Sequence, residues 1–199
     1  GTAFDNLNVS VAVDRVLRSG EGISDPDHPF TPGELGSACC YLAMGDAITR
    51  GLDLEFSGTI LPGWQLFAGY TYNEREANKS SSDKFLGTAL YFNWTPKHLF
   101  KTWTTWNLPG SWSKWTLNAG VQAQTQFSGY GFPTPLPRQA GYAIWNASVQ
   151  YRVNDSWSVA LYSENLFDKT YYEAMSTVRN EGLYGVPRNV ILRMQYKFN

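Results

Sequence analysis

This sequence predicts an all-β fold, an antiparallel up-and-down transmembrane β-barrel segment of about eight strands, on three observations. Apolar and polar residues trade places at every step over stretches about as long as a tilted membrane strand, roughly 9–11 residues. The connections between these stretches are alternately tight and long. Aromatic side chains gather on the apolar parity, close to the tight connections.

The elements follow in order. Leu7, Val9, Val11 and Val13 are set against Asn8, Ser10, Ala12 and Asp14. Next, Leu52, Leu54 and Phe56 face away from Asp53, Glu55 and Ser57. Trp64, Leu66, Ala68, Tyr70 and Tyr72 then alternate with Gln65, Phe67, Gly69, Thr71 and Asn73. The stretch "HLFKTWTTWNL" is less regular, with Phe100 and Trp106 on one side and Lys101 on the other. Trp115, Leu117, Ala119, Val121 and Ala123 oppose Thr116, Asn118, Gln122 and Gln124. Ala143, Trp145, Ala147, Val149 and Tyr151 oppose Asn146, Ser148, Gln150 and Arg152. Trp157, Val159 and Leu161 oppose Ser158, Ala160, Tyr162 and Glu164. Last, Val190, Leu192, Met194, Tyr196 and Phe198 oppose Arg193, Gln195 and Lys197. A period of two residues places each set on its own face of a sheet. No segment keeps a helical period.

Three connections are tight: Leu61–Gly63, Pro109–Ser113 and Asn154–Ser156. Between them lie long polar segments, Ser19–Ser37, Ala77–Pro96, Ser128–Gln139 and Asp168–Pro187. In a meander, alternate connections share one end of the sheet. One end is therefore trimmed and the other elaborated, as in outer-membrane barrels with short periplasmic turns and long outer loops. Trp64, Trp106, Trp115, Tyr151, Trp157 and Phe198 lie on the apolar parity near the trimmed end, where an interfacial girdle is expected. Tyr70 and Tyr72 are candidates for the opposite girdle. The alternative is a soluble β-sandwich or lipocalin-like barrel with these rings as its core. Such a core gives no reason for Trp beside each short turn, and lysine and glutamate on the second parity suit a wet lumen better than a dry interior.

Composition narrows the function classes. The 199 residues carry a net charge of −1, and the pI is about 6.1, so there is no basic footprint for nucleic acid. Aromatics make up 16% of the chain, which suits surfaces that are apolar on one side and wet on the other. No run approaches the length of an apolar helix, and a mean hydropathy of −0.34 still fits a membrane barrel. Gly1 opens no signal peptide, so either a leader has been removed or the chain is a piece of something longer. Cys39 and Cys40 are adjacent and are expected to be unremarkable thiols or partners of cysteines elsewhere. Asp25, Asp27 and His28 share a loop and read as a solvated turn rather than an ion site; His98 opens a strand. Neither histidine sits in a catalytic motif, and no phosphate-cradling glycine loop is present, so an enzyme is not expected.

Four phrases carry a resemblance along essentially the whole chain. They are "TRGLDLEFSGTILPGWQLFAGYTYNERE", "TPKHLFKTWTTWNLPG", "GYAIWNASVQYRVNDSWSVALYSENLFDKTYYEAM" and "YGVPRNVILRMQYKF". Taken in this order, they resemble the C-terminal part of TonB-dependent ferric-siderophore receptors of the outer membrane. The most specific pieces are "ENLFDKTYY" and the closing "YGVPRN…YKF". The resemblance implies that residues 1–199 are the C-terminal portion of a 22-stranded barrel with a plugged lumen, without the plug domain and the earlier strands. It implies uptake of ferric siderophores energised through TonB, which reaches the receptor through the plug domain. This chain would supply barrel wall and extracellular loops. Outer-membrane lipid and the barrel-assembly machinery are the further partners implied. Family members usually end on the aromatic, whereas here Asn199 follows Phe198, which puts the assembly signal in doubt.

Ferric siderophores are bulky, polar and iron-loaded, and aromatic platforms with a few polar groups can hold them. The long loops offer Tyr130, Phe132, Tyr171, Tyr172 and Tyr184, with Arg138 and Arg179 for an anionic ligand. Tyr171 and Tyr172 have a structural alternative, as caps on the outer girdle. The siderophore carries the iron, so no cofactor and no protein metal ligand are expected. The rival reading is a free-standing eight-stranded outer-membrane barrel with a structural or adhesive role.

Overall fold

The computed structural model describes residues 6–24, 41–77, 95–129, 137–176 and 181–198. Their main feature is one eight-stranded antiparallel sheet in the order β1-β2-β3-β4-β5-β8-β9-β12. The strands are β1 (Asn8–Ser24), β2 (Tyr41–Leu61), β3 (Trp64–Ala77), β4 (His98–Asn107), β5 (Trp115–Gln124), β8 (Tyr142–Arg152), β9 (Trp157–Glu164) and β12 (Asn189–Tyr196). Two short ladders stand apart: β6 (Phe127–Ser128) with β7 (Arg138–Gln139), and β10 (Tyr172–Ser176) with β11 (Glu181–Tyr184). The sheet is open among the described residues, with β1 at one edge and β12 at the other. An open sheet fits a segment of a larger barrel and gives no support to a free-standing closed one.

Register aligns the alternating residues into two continuous faces. Val9 lies opposite Phe56, Leu54 opposite Tyr70, Phe100 opposite Ala123, Leu117 opposite Val149, and Leu161 opposite Leu192. The reverse face pairs Ser10 with Glu55, Lys101 with Gln122, and Ala160 with Arg193. A hydrogen-bond chain crosses it, from Thr105 Oγ1 to Asn118 Oδ1 (2.8 Å) and from Asn118 Nδ2 to the buried Ser148 Oγ (2.9 Å).

The irregular fourth stretch has a physical explanation. Register puts Phe100, Thr102, Thr104 and Trp106 on the apolar face and turns Trp103 to the polar one. The two threonine hydroxyls donate to the Phe67 and Gln65 carbonyls of β3, at 2.7 and 2.9 Å, so neither is left unpaired on a greasy surface. Trp64 Nε1 donates in turn to Thr104 Oγ1 at 2.6 Å. Trp103 lies over Gly120, where a Cβ would come within 2.3 Å of the indole.

The short turns lock to their neighbours. Gly63 (φ +79°) also lies too close to Asn107 for a side chain, because a Cβ there would sit 2.8 Å from the Asn107 oxygen, which leaves glycine as the residue that fits. Asn107 N–H donates to the Gly63 carbonyl at 2.8 Å. Between β4 and β5, Gly110–Trp112 form a single 3-10 turn. Between β8 and β9, Asn154 Oδ1 accepts from the Ser156 and Trp157 N–H groups at 3.0 and 2.8 Å.

The long connections differ from expectation. The segment Ser19–Ser37 was expected to be a connection throughout, but β1 continues to Ser24 and β2 begins at Tyr41, giving strands of 17 and 21 residues. Backbone pairing need not stop where lipid stops, and beyond it no face is forced apolar, so the alternation fades while the strand persists. Ser128–Gln139 and Asp168–Pro187 likewise contain the β6–β7 and β10–β11 ladders. Residues 78–94 of the Ala77–Pro96 connection lie outside the described residues, as do Asp25, Asp27, His28, Cys39 and Cys40.

The close Trp103–Gly120 approach makes Gly120→Val an overpacking change worth about 1–3 kcal/mol. A lower urea midpoint is expected for the full-length barrel refolded into lipid. An unchanged midpoint would mean that Trp103 moves aside freely.

Candidate ligand site and membrane-facing surface

At the elaborated end of the sheet, described parts of the last two long connections pack against the polar face. Tyr142 and Ile144 of β8 share that face with Ser148, and with Phe127 they form a buried cluster against which Tyr171 and Met175 pack. The Tyr142 and Tyr171 rings meet at 4.4 Å. Tyr171 also lies flush on Gly185, where a Cβ would fall 1.9 Å from the ring. Tyr171 therefore does not cap an outward girdle; it packs toward the inner face and props the loops there. Burial pushes its phenol pKa up, with Glu173 adding to the effect.

On this support sits a stacked aromatic pair, Tyr172 half-buried and Tyr184 exposed. Tyr172 and Tyr184, directly opposite one another on β10 and β11, stack at 4.3 Å, and the Tyr172 hydroxyl donates to that of Tyr184 at 2.7 Å. This bond holds the Tyr172 phenol pKa above its ordinary value. Gln139 Oε1 accepts the Tyr172 N–H at 3.0 Å, tying the hairpin to β7, where the neighbouring Arg138 is exposed. The structure thus brings Arg138, Tyr172 and Tyr184 into one loop cluster. Tyr130, Phe132 and Arg179 lie outside the described residues. Among the described residues, no three His, Cys, Asp or Glu side chains are grouped to hold a metal ion.

Sequence reasoning missed the neck of this loop. Asn165 (φ +48°) and Asp168 (φ +53°) adopt left-handed backbone, and Asn165 is only 2% exposed. Its side-chain amide donates to the Lys169 and Val186 carbonyls (2.8 and 3.0 Å), and its Oδ1 accepts the Lys169 N–H (2.8 Å). Asp168 Oδ1 accepts the Arg188 N–H at 3.0 Å. Both residues stand in the phrase "ENLFDKTYY", and left-handed-tolerant Asn and Asp close after a strand were the available signal.

At the trimmed end, rings meet across strands on the apolar face. Trp64 and Trp106 lie 6.0 Å apart, Trp115 and Tyr151 4.6 Å, and Trp157 and Tyr196 4.8 Å. Tyr196, left out of the expected set, links Trp157 to Phe198, whose ring it meets edge-on at 4.7 Å. At the far end of the same face, Tyr70 OH shares a 2.8 Å hydrogen bond with His98 Nδ1, and Tyr72 OH donates to Glu74 Oε2 at 2.7 Å. Charges follow at once: Lys97 pairs with Glu74 (2.5 Å) and Arg50 with Glu76 (3.2 Å). From Trp64 to Tyr72 the strand runs about 27 Å. Tilted by about 40°, it spans roughly 20 Å of bilayer, near the height of a barrel's apolar band.

The β-barrel model of the TonB dependent receptor-like family matches residues 4–166. The chain belongs to this family. Along its whole length it is 33% identical to the ferric-pyoverdine M114 receptor PbuA of Pseudomonas sp. (strain M114), covering 23% of that protein. The ferric-pyoverdine 358 receptor of Pseudomonas putida is 32% identical over 96% of the chain and is itself covered to 22%. The ferripyoverdine receptor FpvA of Pseudomonas aeruginosa, solved with a bound heterologous pyoverdine and iron, superposes with a TM-score of 0.76 at 25% identity, over 96% of this chain and 25% of that one. The chain therefore spans about a quarter of the length of the curated relatives it matches. It is part of the β-barrel of a TonB-dependent receptor of the bacterial outer membrane, and that family is one of transport receptors rather than enzymes.

In such a barrel the apolar face meets lipid and the polar face lines the lumen. Val121→Arg, on the apolar face near mid-height, is expected to cost roughly 2–4 kcal/mol. Gln122→Arg, one residue on, is expected to cost little. Urea titration of both full-length variants in bilayers checks this, and equal costs would overturn the assignment of faces.

Proposed function

We propose that this chain is the C-terminal part of a barrel whose full-length form takes up ferric siderophores across the outer membrane. It supplies barrel wall and outer loops. The plug domain and earlier strands belong to the rest of the parent polypeptide, and energy reaches the receptor through TonB at the plug. The observation that carries this reading is the 33% identity running the full length of the chain to a ferric-pyoverdine receptor. A pyoverdine-type ligand is accordingly the first to test.

The loop cluster suits such a cargo. The stacked Tyr172–Tyr184 pair offers an aromatic plane with two hydroxyls, and Arg138 adds a cation for an anionic group. Iron travels as part of the ligand, held by the siderophore. At the other end, Trp64, Trp106, Trp115, Tyr151, Trp157 and Phe198, with Tyr196, hold the barrel at the periplasmic lipid–water boundary. Tyr70 and Tyr72 serve the outer boundary. The aromatic strand β12 is the segment offered to the barrel-assembly machinery.

Cells deleted for the parent gene and complemented with it are expected to regain uptake of radiolabelled iron from a ferric pyoverdine. A catecholate complex and a hydroxamate complex form the comparison arms. Replacing Tyr172 and Tyr184 together by Ala is expected to weaken capture about tenfold, since an aromatic contact adds about 0.5–1.5 kcal/mol beyond its buried area. No uptake from any of these complexes would sink the proposal.

A further inference from the structure

We propose that Asn165 is the positioning residue for the outer hairpin: its side-chain amide clamps both limbs of the loop at the neck and so sets the Tyr172–Tyr184 platform over the lumen before any ligand arrives. The functional half of this inference rests on the uptake reading above; the mechanical half does not.

The argument starts from how completely this one amide is used. Asn165 Nδ2 spends both hydrogens on carbonyls from opposite limbs, Lys169 on the way out and Val186 on the way back. Oδ1 takes the Lys169 N–H. The main-chain N–H of Asn165 donates to Asn146 Oδ1 on β8 at 2.9 Å, so the clamp is fastened to the barrel wall as well. Next to it, Leu166 N–H donates to the Trp145 carbonyl at 2.8 Å. A buried amide with several fixed partners gives a single geometry, because losing any partner strands a polar group away from water. The β10–β11 ladder with its stacked tyrosines continues outward from this neck. The next contacts out, Gly185 N–H to the Tyr171 carbonyl at 2.9 Å and Tyr171 on Tyr142, carry the alignment on toward the platform.

Donor chemistry separates this role from mere occupancy of a left-handed position. Gly and Asp both tolerate the backbone, and Asp also keeps the volume and the acceptor for Lys169 N–H. Asp, however, puts a carboxylate oxygen against two carbonyls now 2.8 and 3.0 Å from the amide nitrogen. If the donors matter, Asn165→Asp is worse than Asn165→Gly. If only backbone and volume matter, Asp is the better replacement.

The test uses the full-length receptor in outer-membrane vesicles, with correct assembly checked by heat-modifiable migration. Lys169 has its N–H and its carbonyl both tied to Asn165, so trypsin should cut after it slowly in the wild type. Cleavage there is expected to accelerate about tenfold in Asn165→Asp and less in Asn165→Gly, with the barrel strands still resistant. Capture of a ferric pyoverdine is expected to fall in the same order. In a receptor already lacking both tyrosine rings, Asn165→Asp is expected to cause no further loss. Unchanged cleavage in both variants, or Asp milder than Gly, overturns the clamp. If cleavage rises while removal of the tyrosine rings leaves capture intact, the clamp stands and the platform's role in uptake falls.

Discussion

Hydrocarbon offers no partner to a backbone N–H or C=O, and the rest of this structure depends on that constraint. A strand crossing lipid must give every polar main-chain group to its neighbours. The wall is therefore a continuous antiparallel ladder, and its outward side chains are mainly apolar or hydrogen-bonded, with the buried Ser163 Oγ an exception. The threonines of β4 show the second solution. Thr102 and Thr104 sit on the membrane-facing parity because each hydroxyl has a carbonyl of β3 to donate to. On the same parity of β3, Glu74 follows just beyond Tyr72 and is met there by Lys97.

The polar face obeys a looser rule. Water, loops or other protein can satisfy its groups, so it tolerates a mixture of kinds. Thr105, Asn118 and Ser148 bond to one another in a line, Asp53 accepts from Thr71 at 2.7 Å, and Phe67 and Trp103 stand exposed on the same side. The loops use this freedom. Phe127, Tyr142, Ile144, Tyr171 and Met175 make a small apolar centre at the elaborated end, and the hairpin rests on it. Rigidity there comes from close backbone approach at Gly185 and from the Asn165 amide. A receptor that must present a fixed surface to a large polar cargo benefits from such a base, because pre-organisation lowers the entropy lost on binding.

Much of this was legible in one dimension. Each of the eight strands of the main sheet contains one of the alternating stretches, and the tight and long connections fall at opposite ends of it. Three things were not legible. β1 and β2 outlast their alternation, because the pattern records lipid contact and not pairing. Trp103 turns inward although tryptophan on a membrane strand reads as outward, because Gly120 leaves a slot for it there. Tyr171 and Tyr172 are neighbours with different partners, one packed on Tyr142 and Gly185 and the other stacked on Tyr184, and no local signal separates them.

The amino-acid order alone determined the all-β class, the eight strands of the main sheet, the outward parity and the family resemblance, since each is written in near-neighbour patterns that lipid imposes on every crossing. The tertiary structure alone decided how far strands run past the membrane, which loop aromatics support and which are displayed, and that a single asparagine ties both limbs of the last outer loop. Those outcomes rest on contacts between residues far apart in the chain, such as Asn165 with Val186 and Tyr142 with Tyr171, and no short-range periodicity encodes them.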